Sequence, residues 1–435
     1  MTAGDAGRRR AYVGWEALLD LPDKEAGQAD LLGWDARRMR RWLGRLGDPQ
    51  LRLRCTLVTG SKGKGSTAAF LEAALRAAGH RTALYTQPHL HRYRERVRIG
   101  GWPLPAAASR AALAAVLGLA PGPVTAFEAA TAAAFWAFAQ AGVEDAVLEL
   151  GFGGRLDAVA ECEPVQVLFT PLEVEHAEIF GPDLASVSAH DLALIRFGRH
   201  CLSGRQRPEV AAEFARRLSR HGATGAAVPL PAPGGPGTLQ IPDGPRIRVR
   251  LGMEGAFQWE NAALAAAGAA YLGASPEAIA RGLSSARLPG RFETVGRRPR
   301  LIVDGAHTPG SMAALAAAVG QLGPRPRVAL ILGVLRDKDM EGIADVLREG
   351  PWEVWATRPR HPRAVAAADL AEALDGLGRP VHCVPEVAEA VARARAWAGP
   401  QGLCVVAGSL SLAAEVRALR AAERAAGGAP ARPGA

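Results

Sequence analysis

The chain has 435 residues, a formal net charge of +9 and five cysteines, and this length exceeds what one ordinary domain uses. With 49% hydrophobic and 22% charged residues it reads as globular. It lacks a membrane-like apolar run, an apolar signal segment behind the arginines at 8–10 and any CxxC spacing, so a membrane partner, secretion, a zinc site and a disulfide framework are not expected and a reduced cytoplasm is. The basic residues are scattered, without a helix-turn-helix, RNA-recognition or zinc-finger pattern, so nucleic acid is not an expected partner; an Arg-rich composition accounts for most of the excess, and a cleft for a small anion for the rest.

In chain order, LRCTLVTG (53–60) reads as a strand entering a glycine turn. KGSTAAFLEAALRAAG (64–79) reads as a helix stopped by glycine. RTALYT (81–86) is a second strand, 124–142 a long helix, and DAVLEL (145–150) and VQVLFT (165–170) are further strands. This alternation predicts a mostly parallel sheet covered by helices. Across 222–251 the texture changes: LPAPGGPG is a loop and RIRVRL alternates like a half-exposed strand. A helix over 259–273 follows. From about residue 300, RLIVDG, RVALILG, EVWAT, PVHCV and LCVVAG are five candidate strands of a second α/β series. A boundary near Gly296 divides the chain into 1–296 and 297–420, with 421–435 expected to be a disordered tail.

TGSKGKGST (59–67) follows a strand and opens a helix. There, backbone N–H groups and the helix N-terminus favour an anion. Lys64 can reach outer phosphates, and Ser66 or Thr67 offers a hydroxyl to phosphate or magnesium. The general pattern GxxxxGK[ST] is not met, because Val58 holds the first glycine's place and Gly65 separates Lys64 from Ser66.

GxxGKGS resembles the loop of folylpolyglutamate and dihydrofolate synthases, members of the Mur ligase superfamily. Further segments resemble that family in the expected order: YTQPHLHRYRERVRIGG (85–101), ELGFGGRLDA (149–158), EHAEIFG (175–181), MEGAFQWENAALA (253–265), LPGRFE (288–293), DGAHTP (304–309), GVLRDKD (333–339) and GSL (408–410). The resemblance spans about residues 12–415. It implies an α/β chain with a P-loop Mur-ligase-type central domain, a smaller C-terminal Rossmann-like domain, and ATP in the cleft between them. It also implies a monomer that joins a pterin-linked carboxylate to the amine of L-glutamate through an acyl phosphate, giving ADP and phosphate.

Carried onto this sequence, the family's nucleotide contacts fall on Gly60, Gly63, Lys64, Gly65, Ser66, Thr67, Asn261 with Gln258 beside it, Arg291, Asp304 and His307. Asn261 is expected on the adenine or ribose side. Its magnesium ligands fall on Ser66, Gln87, Glu149, His176 and Asp191, with Lys64, Glu149 and His176 as the catalytic set. Magnesium prefers oxygen donors, which all of these ligands but the imidazole of His176 supply. Lys338 and Asp339 line the cleft, or Asp339 simply caps a helix. Phe127 and the pair Pro88–His89 sit where the family shapes its pterin pocket, though Phe127 equally suits a helix core; Trp136 and Phe138 are expected in the core.

Several positions depart from the pattern. Gln87 replaces a metal-binding serine, Phe257 a histidine, Thr308 an asparagine and Lys62 an asparagine, and Glu175 stands for an aspartate. Aligned without gaps, Asp191 occupies the place of a carbamylated lysine, with His190 before it. Asp191 either supplies a carboxylate near the metal region or is a helix-surface residue. Three readings stay open: a folate ligase, a related ligase for a different acid, and a non-catalytic ATP- or pterin-binding relative.

Overall fold

The computed structural model describes residues 18, 36–151, 153–154, 157–174, 177–229, 237–242 and 244–426. The chain forms two compact units: residues up to Gly252 with Glu260–Ala286, and Met253–Trp259 with the residues from Arg287 onward.

The first unit is built on eight strands: β1 (Arg54–Thr59), β2 (Thr82–Tyr85), β3 (Val97–Ile99), β4 (Trp102–Pro103), β5 (Asp145–Glu149), β6 (Pro164–Phe169), β7 (His200–Ser203) and β8 (Thr224–Ala227). Their order is β4-β3-β2-β5-β1-β6-β7-β8. The run from β2 to β8 is parallel, and β3 and β4 add an antiparallel edge. Central β1 and β5 are buried on both faces except at Arg54, as a parallel sheet covered on both sides requires. The covering helices are α1 (Ala36–Arg45), α2 (Lys64–Ala77), α3 (Ala106–Gly118), α4 (Ala126–Gln140), α5 (Ala177–Phe180), α6 (Leu184–Leu192), α7 (Pro208–His221), α8 (Gln258–Tyr271) and α9 (Pro276–Ser285). RIRVRL becomes β10 (Arg246–Arg248), paired antiparallel with β9 (Thr238–Gln240).

Helix α4 starts at a reciprocal cap between Thr125 and Glu128, which satisfies two otherwise orphaned N–H groups. Phe127 and Phe138 lie in its core cluster and Trp136 packs against it. Cys55 and Cys162, distant in sequence, meet in this core as free thiols, and burial pushes Cys162 well above the usual thiol range.

In the second unit the sheet runs β11 (Glu293–Arg297), β12 (Arg300–Val303), β16 (Leu403–Ala407), β13 (Val328–Leu332), β14 (Trp352–Ala356), β15 (Val381–Cys383). All five expected strands are present and parallel; β11 pairs antiparallel at the edge. The expected boundary at 296 falls within β11, whereas the compact units divide between 286 and 287. Helices α10 (Pro309–Gly320), α11 (Met340–Arg348), α12 (Ala367–Ala373), α13 (Val387–Ala398) and α14 (Leu410–Ala426) complete it. Residues 421–426 of the expected tail are therefore helical; the remainder lies outside the described residues. No described helix is long and apolar enough to cross a membrane.

Helix α2 is clamped by α9 at Gly282, where an added Cβ would lie 2.5 Å from the Ala73 carbonyl oxygen. Backbone cannot yield as a flexible side chain can, so Gly282→Ala should push the helices apart. It should destabilise the first unit by about 1–3 kcal/mol, read as a lower denaturant midpoint; an unchanged midpoint would contradict this packing.

Candidate active site

The short turn 60–63 carries the chain from the buried end of β1 into the first turn of α2. Gly63 is the N-cap of α2, with φ of 86°. Having no side chain, it makes no side-chain cap to the first turn of α2, and a helix N-terminus favours an anion. Gly65, Ser66 and Thr67 follow in the buried first turn. The segment after β6 braces the loop. Ser61 and Lys62 N–H groups donate to the Pro171 carbonyl at 2.9 and 3.3 Å. The Ser61 hydroxyl donates to the Glu173 carbonyl and accepts from the Glu173 N–H, at 3.1 and 2.9 Å. The Thr170 hydroxyl donates to the Thr59 carbonyl at 3.0 Å and packs against Gly60. Lys64 folds over its own loop, its Nζ donating to the Gly60 carbonyl at 2.6 Å and reaching the Ser61 carbonyl at 3.4 Å. Its amine is thus held beside the cradle.

Asn261, on α8, is placed at this loop. The Thr67 hydroxyl lies 3.5 Å from its Oδ1. A Cβ on Gly63 would collide with the same amide, with Cγ only 3.0 Å away. The asparagine therefore backs the phosphate turn.

Glu149 ends β5, level with Val58 of β1, and is buried. Its Oε2 accepts the Gln87 N–H at 2.8 Å, and the Gln87 amide donates to the Glu149 carbonyl at 3.3 Å. So Glu149 and Gln87 are neighbours on adjacent parallel strand ends. Gln87 precedes a cis Pro88. In the following turn His89 Nδ1 accepts from Arg96 at 3.0 Å, and Glu95 accepts the N–H groups of Leu90, His91 and Arg92. Asp191, on α6, is buried rather than a surface residue. Its Oδ1 accepts from the Thr59 hydroxyl. Burial raises its pKa, against the opposing pull of the Thr59 hydrogen bond and the Lys64 charge. His176 and Glu175 lie outside the described residues. Among the described residues no three His, Cys, Asp or Glu side chains converge on one point.

In the second unit, three motif loops meet at the carboxyl ends of β12, β13 and β16. The Gly408 N–H donates to the Ala306 carbonyl at 2.7 Å, and the Ser409 hydroxyl to the Gly333 carbonyl at 2.9 Å. Asp304 is buried and accepts the N–H groups of Phe292 and Ala306, each at 2.7 Å. Burial raises its pKa, opposed by nearby Arg291. His307 Nδ1 lies 2.7 Å from the Gly305 carbonyl. Asp339 caps α11 through the Gly342 N–H at 2.9 Å, and Lys338 pairs with Asp337 at 2.8 Å.

Residues 290–410 match the family described as Mur ligase, glutamate ligase domain. The chain is 33% identical over 393 residues to the dihydrofolate synthase/folylpolyglutamate synthase of Escherichia coli strain K12, covering 85% of this chain and 87% of that protein. It belongs to the folylpolyglutamate synthase/dihydrofolate synthase family. It is also 37% identical over 390 residues to the probable bifunctional folylpolyglutamate synthase/dihydropteroate synthase of Halobacterium salinarum. That match takes in 83% of this chain and 46% of that protein, so the chain spans about half the length of this archaeal relative. A solved structure of E. coli FolC in complex with DHPP and ADP superposes with a TM-score of 0.86 at 29% identity, over 95% of this chain and 99% of that one.

Within this family member, sequence reasoning passed over Thr59, Asp157 and Thr170. Asp157 is fully buried and accepts the Gly151 and Val159 N–H groups at 2.7 and 2.8 Å, shaping the turn after Glu149. Its place in GFGGRLDA was the available signal; Thr170, a polar end to an apolar strand, was another. Thr59 has meaning only once Asp191 is seen beside it. Gly63→Ala should force a left-handed φ on alanine and a clash with Asn261, weakening ATP binding by about tenfold or more. Isothermal titration with circular dichroism checks this, and unweakened binding by a folded variant would refute the close loop–amide packing.

Proposed function

We propose that this chain is an ATP-dependent ligase that joins L-glutamate to a folate-type carboxylate, dihydropteroate or a tetrahydrofolate polyglutamate, releasing ADP and phosphate. The observation that carries this is the β1–α2 turn with Lys64 poised over it and Glu149 at the end of the next strand, in a chain aligned with its family across most of its length. The glycine cradle suits phosphate, since side chains at Gly60 or Gly63 would strike Thr170 or Asn261. Ser66, Glu149 and Gln87 offer hydroxyl, carboxylate and amide oxygens, a donor set that suits magnesium. Magnesium bound there would neutralise charge on the phosphates.

In the reaction, a carboxylate oxygen of the acid attacks the γ-phosphorus and the bond to the β-phosphate oxygen breaks, leaving ADP and an acyl phosphate. The uncharged glutamate amine then attacks the acyl carbon, phosphate leaves and the amine loses a proton. The N–H groups at the start of α2 hold the phosphates, and Lys64 exchanges its loop carbonyls for phosphate oxygens. The enzyme acts as a cytoplasmic monomer on small molecules. A related reading, a ligase of this superfamily for a different acid, draws on Gln87 filling the space beside Gly151, 2.8 Å from an added Cβ there.

Purified protein incubated with ATP, magnesium, L-glutamate and a panel of acids including dihydropteroate should give ADP, phosphate and a glutamylated folate. AMP and pyrophosphate would rule out the acyl-phosphate route, and product from another acid alone would select the second reading. Lys64→Ala and Glu149→Ala should each lower turnover by about a thousandfold, with circular dichroism unchanged; near-normal turnover in either would remove it from the site.

A further inference from the structure

We propose that Asp191 is a positioning residue that sets the distance between the phosphate turn and Glu149, by tying the end of β1 to the glycine turn after β5. This rests on the ligase reading for its kinetic consequence but not for the tie itself. Strands β1 and β5 run level, Val58 opposite Glu149. Among the described residues the last backbone hydrogen bond between them is from the Leu150 N–H to the Val58 carbonyl, at 3.0 Å. Beyond it one chain enters the turn at 60–63 and the other leads to the glycines at 151, 153 and 154, with no further strand pairing between the described residues.

Asp191 sits at that point of divergence. Thr59, the last residue of β1, donates its hydroxyl to Oδ1. The backbone at Gly154 lies near the same carboxylate and opposes the rise in pKa that burial causes. A Cβ on Gly153 would lie 2.9 Å from Oδ1, and one on Gly154 would lie 2.6 Å from the His190 carbonyl carbon. The end of α6 therefore lies directly against the turn, with room for glycine alone. A buried carboxylate is costly where packing is the only need. Here it accepts the Thr59 hydroxyl of one diverging chain while packing against the glycine turn of the other, and no apolar side chain could accept that bond.

Thr59→Val removes the donor while keeping shape, and Asp191→Ala removes the acceptor. Each should lower kcat about tenfold while the KM for ATP stays within about twofold, because misplacement of the turn against Glu149 is felt in the transition state. The double variant should be no worse than Asp191→Ala alone, because the Thr59 contact is already lost when its acceptor is removed. The half-saturating magnesium concentration should stay at the wild-type value in both. Hydrogen exchange, which needs no turnover, should show faster exchange at 60–66 and at Gly153–Gly154 in both variants. A raised magnesium requirement in Asp191→Ala with a normal Thr59→Val would make Asp191 a metal ligand and overturn the proposal. Unchanged exchange in both folded variants would overturn it too. Faster exchange in a protein whose wild type ligates nothing would uphold the tie and remove the ligase reading instead.

Discussion

Backbone N–H groups at the start of α2 cannot find partners within their own helix, and a helix N-terminus at the end of a parallel strand favours an anion. The turn is kept short, its N-cap is a glycine, and the segment 170–173 engages the Ser61 and Lys62 N–H groups and the Ser61 hydroxyl. Lys64 stays on the loop's own carbonyls. The turn stands at the centre of the sheet, flanked by β5 and β6, so residues from both neighbouring strand ends can be brought beside it. This is the general place for ligands in an open parallel sheet.

Buried carboxylates at strand ends and in the loops that follow recur in both units, held largely by backbone donors. Glu149 takes the Gln87 N–H, Asp157 those of Gly151 and Val159, and Asp304 those of Phe292 and Ala306. Each is a loop-shaping device: a carboxylate accepts several N–H groups that irregular backbone would otherwise leave unpaired. For Asp304 and Asp191 burial outweighs these bonds and raises the pKa. Lys64 near Asp191 and Arg291 near Asp304 limit that rise.

The departures from the family pattern have local structural work. Thr308 caps α10 in a reciprocal arrangement with Ser311. Phe257 packs edge-on against Phe292, with ring centroids 6.1 Å apart. Gln87 spans from the end of β2 to the Glu149 backbone. Asp191 is enclosed between Thr59 and the glycine turn. Each of these four side chains therefore makes a defined contact in its surroundings.

Apolar periodicity and glycine punctuation determined the two α/β series, the five parallel strands of the second unit and the β1–turn–α2 phosphate loop, because these depend on local patterns within a dozen residues. The edge strands β3, β4 and β11, and β7 and β8 beyond the central strands, were not legible: short or half-exposed strands carry little apolar pattern and exist through their neighbours. The motifs located Lys64, Ser66, Glu149, Asn261 and Asp304, but not what each touches. That Asn261 backs Gly63 and that Asp191 is buried against Thr59 across 132 positions of sequence was decided by tertiary structure alone. A hydrogen bond or close packing between distant segments depends on strand order and helix placement, and no short stretch of sequence encodes either.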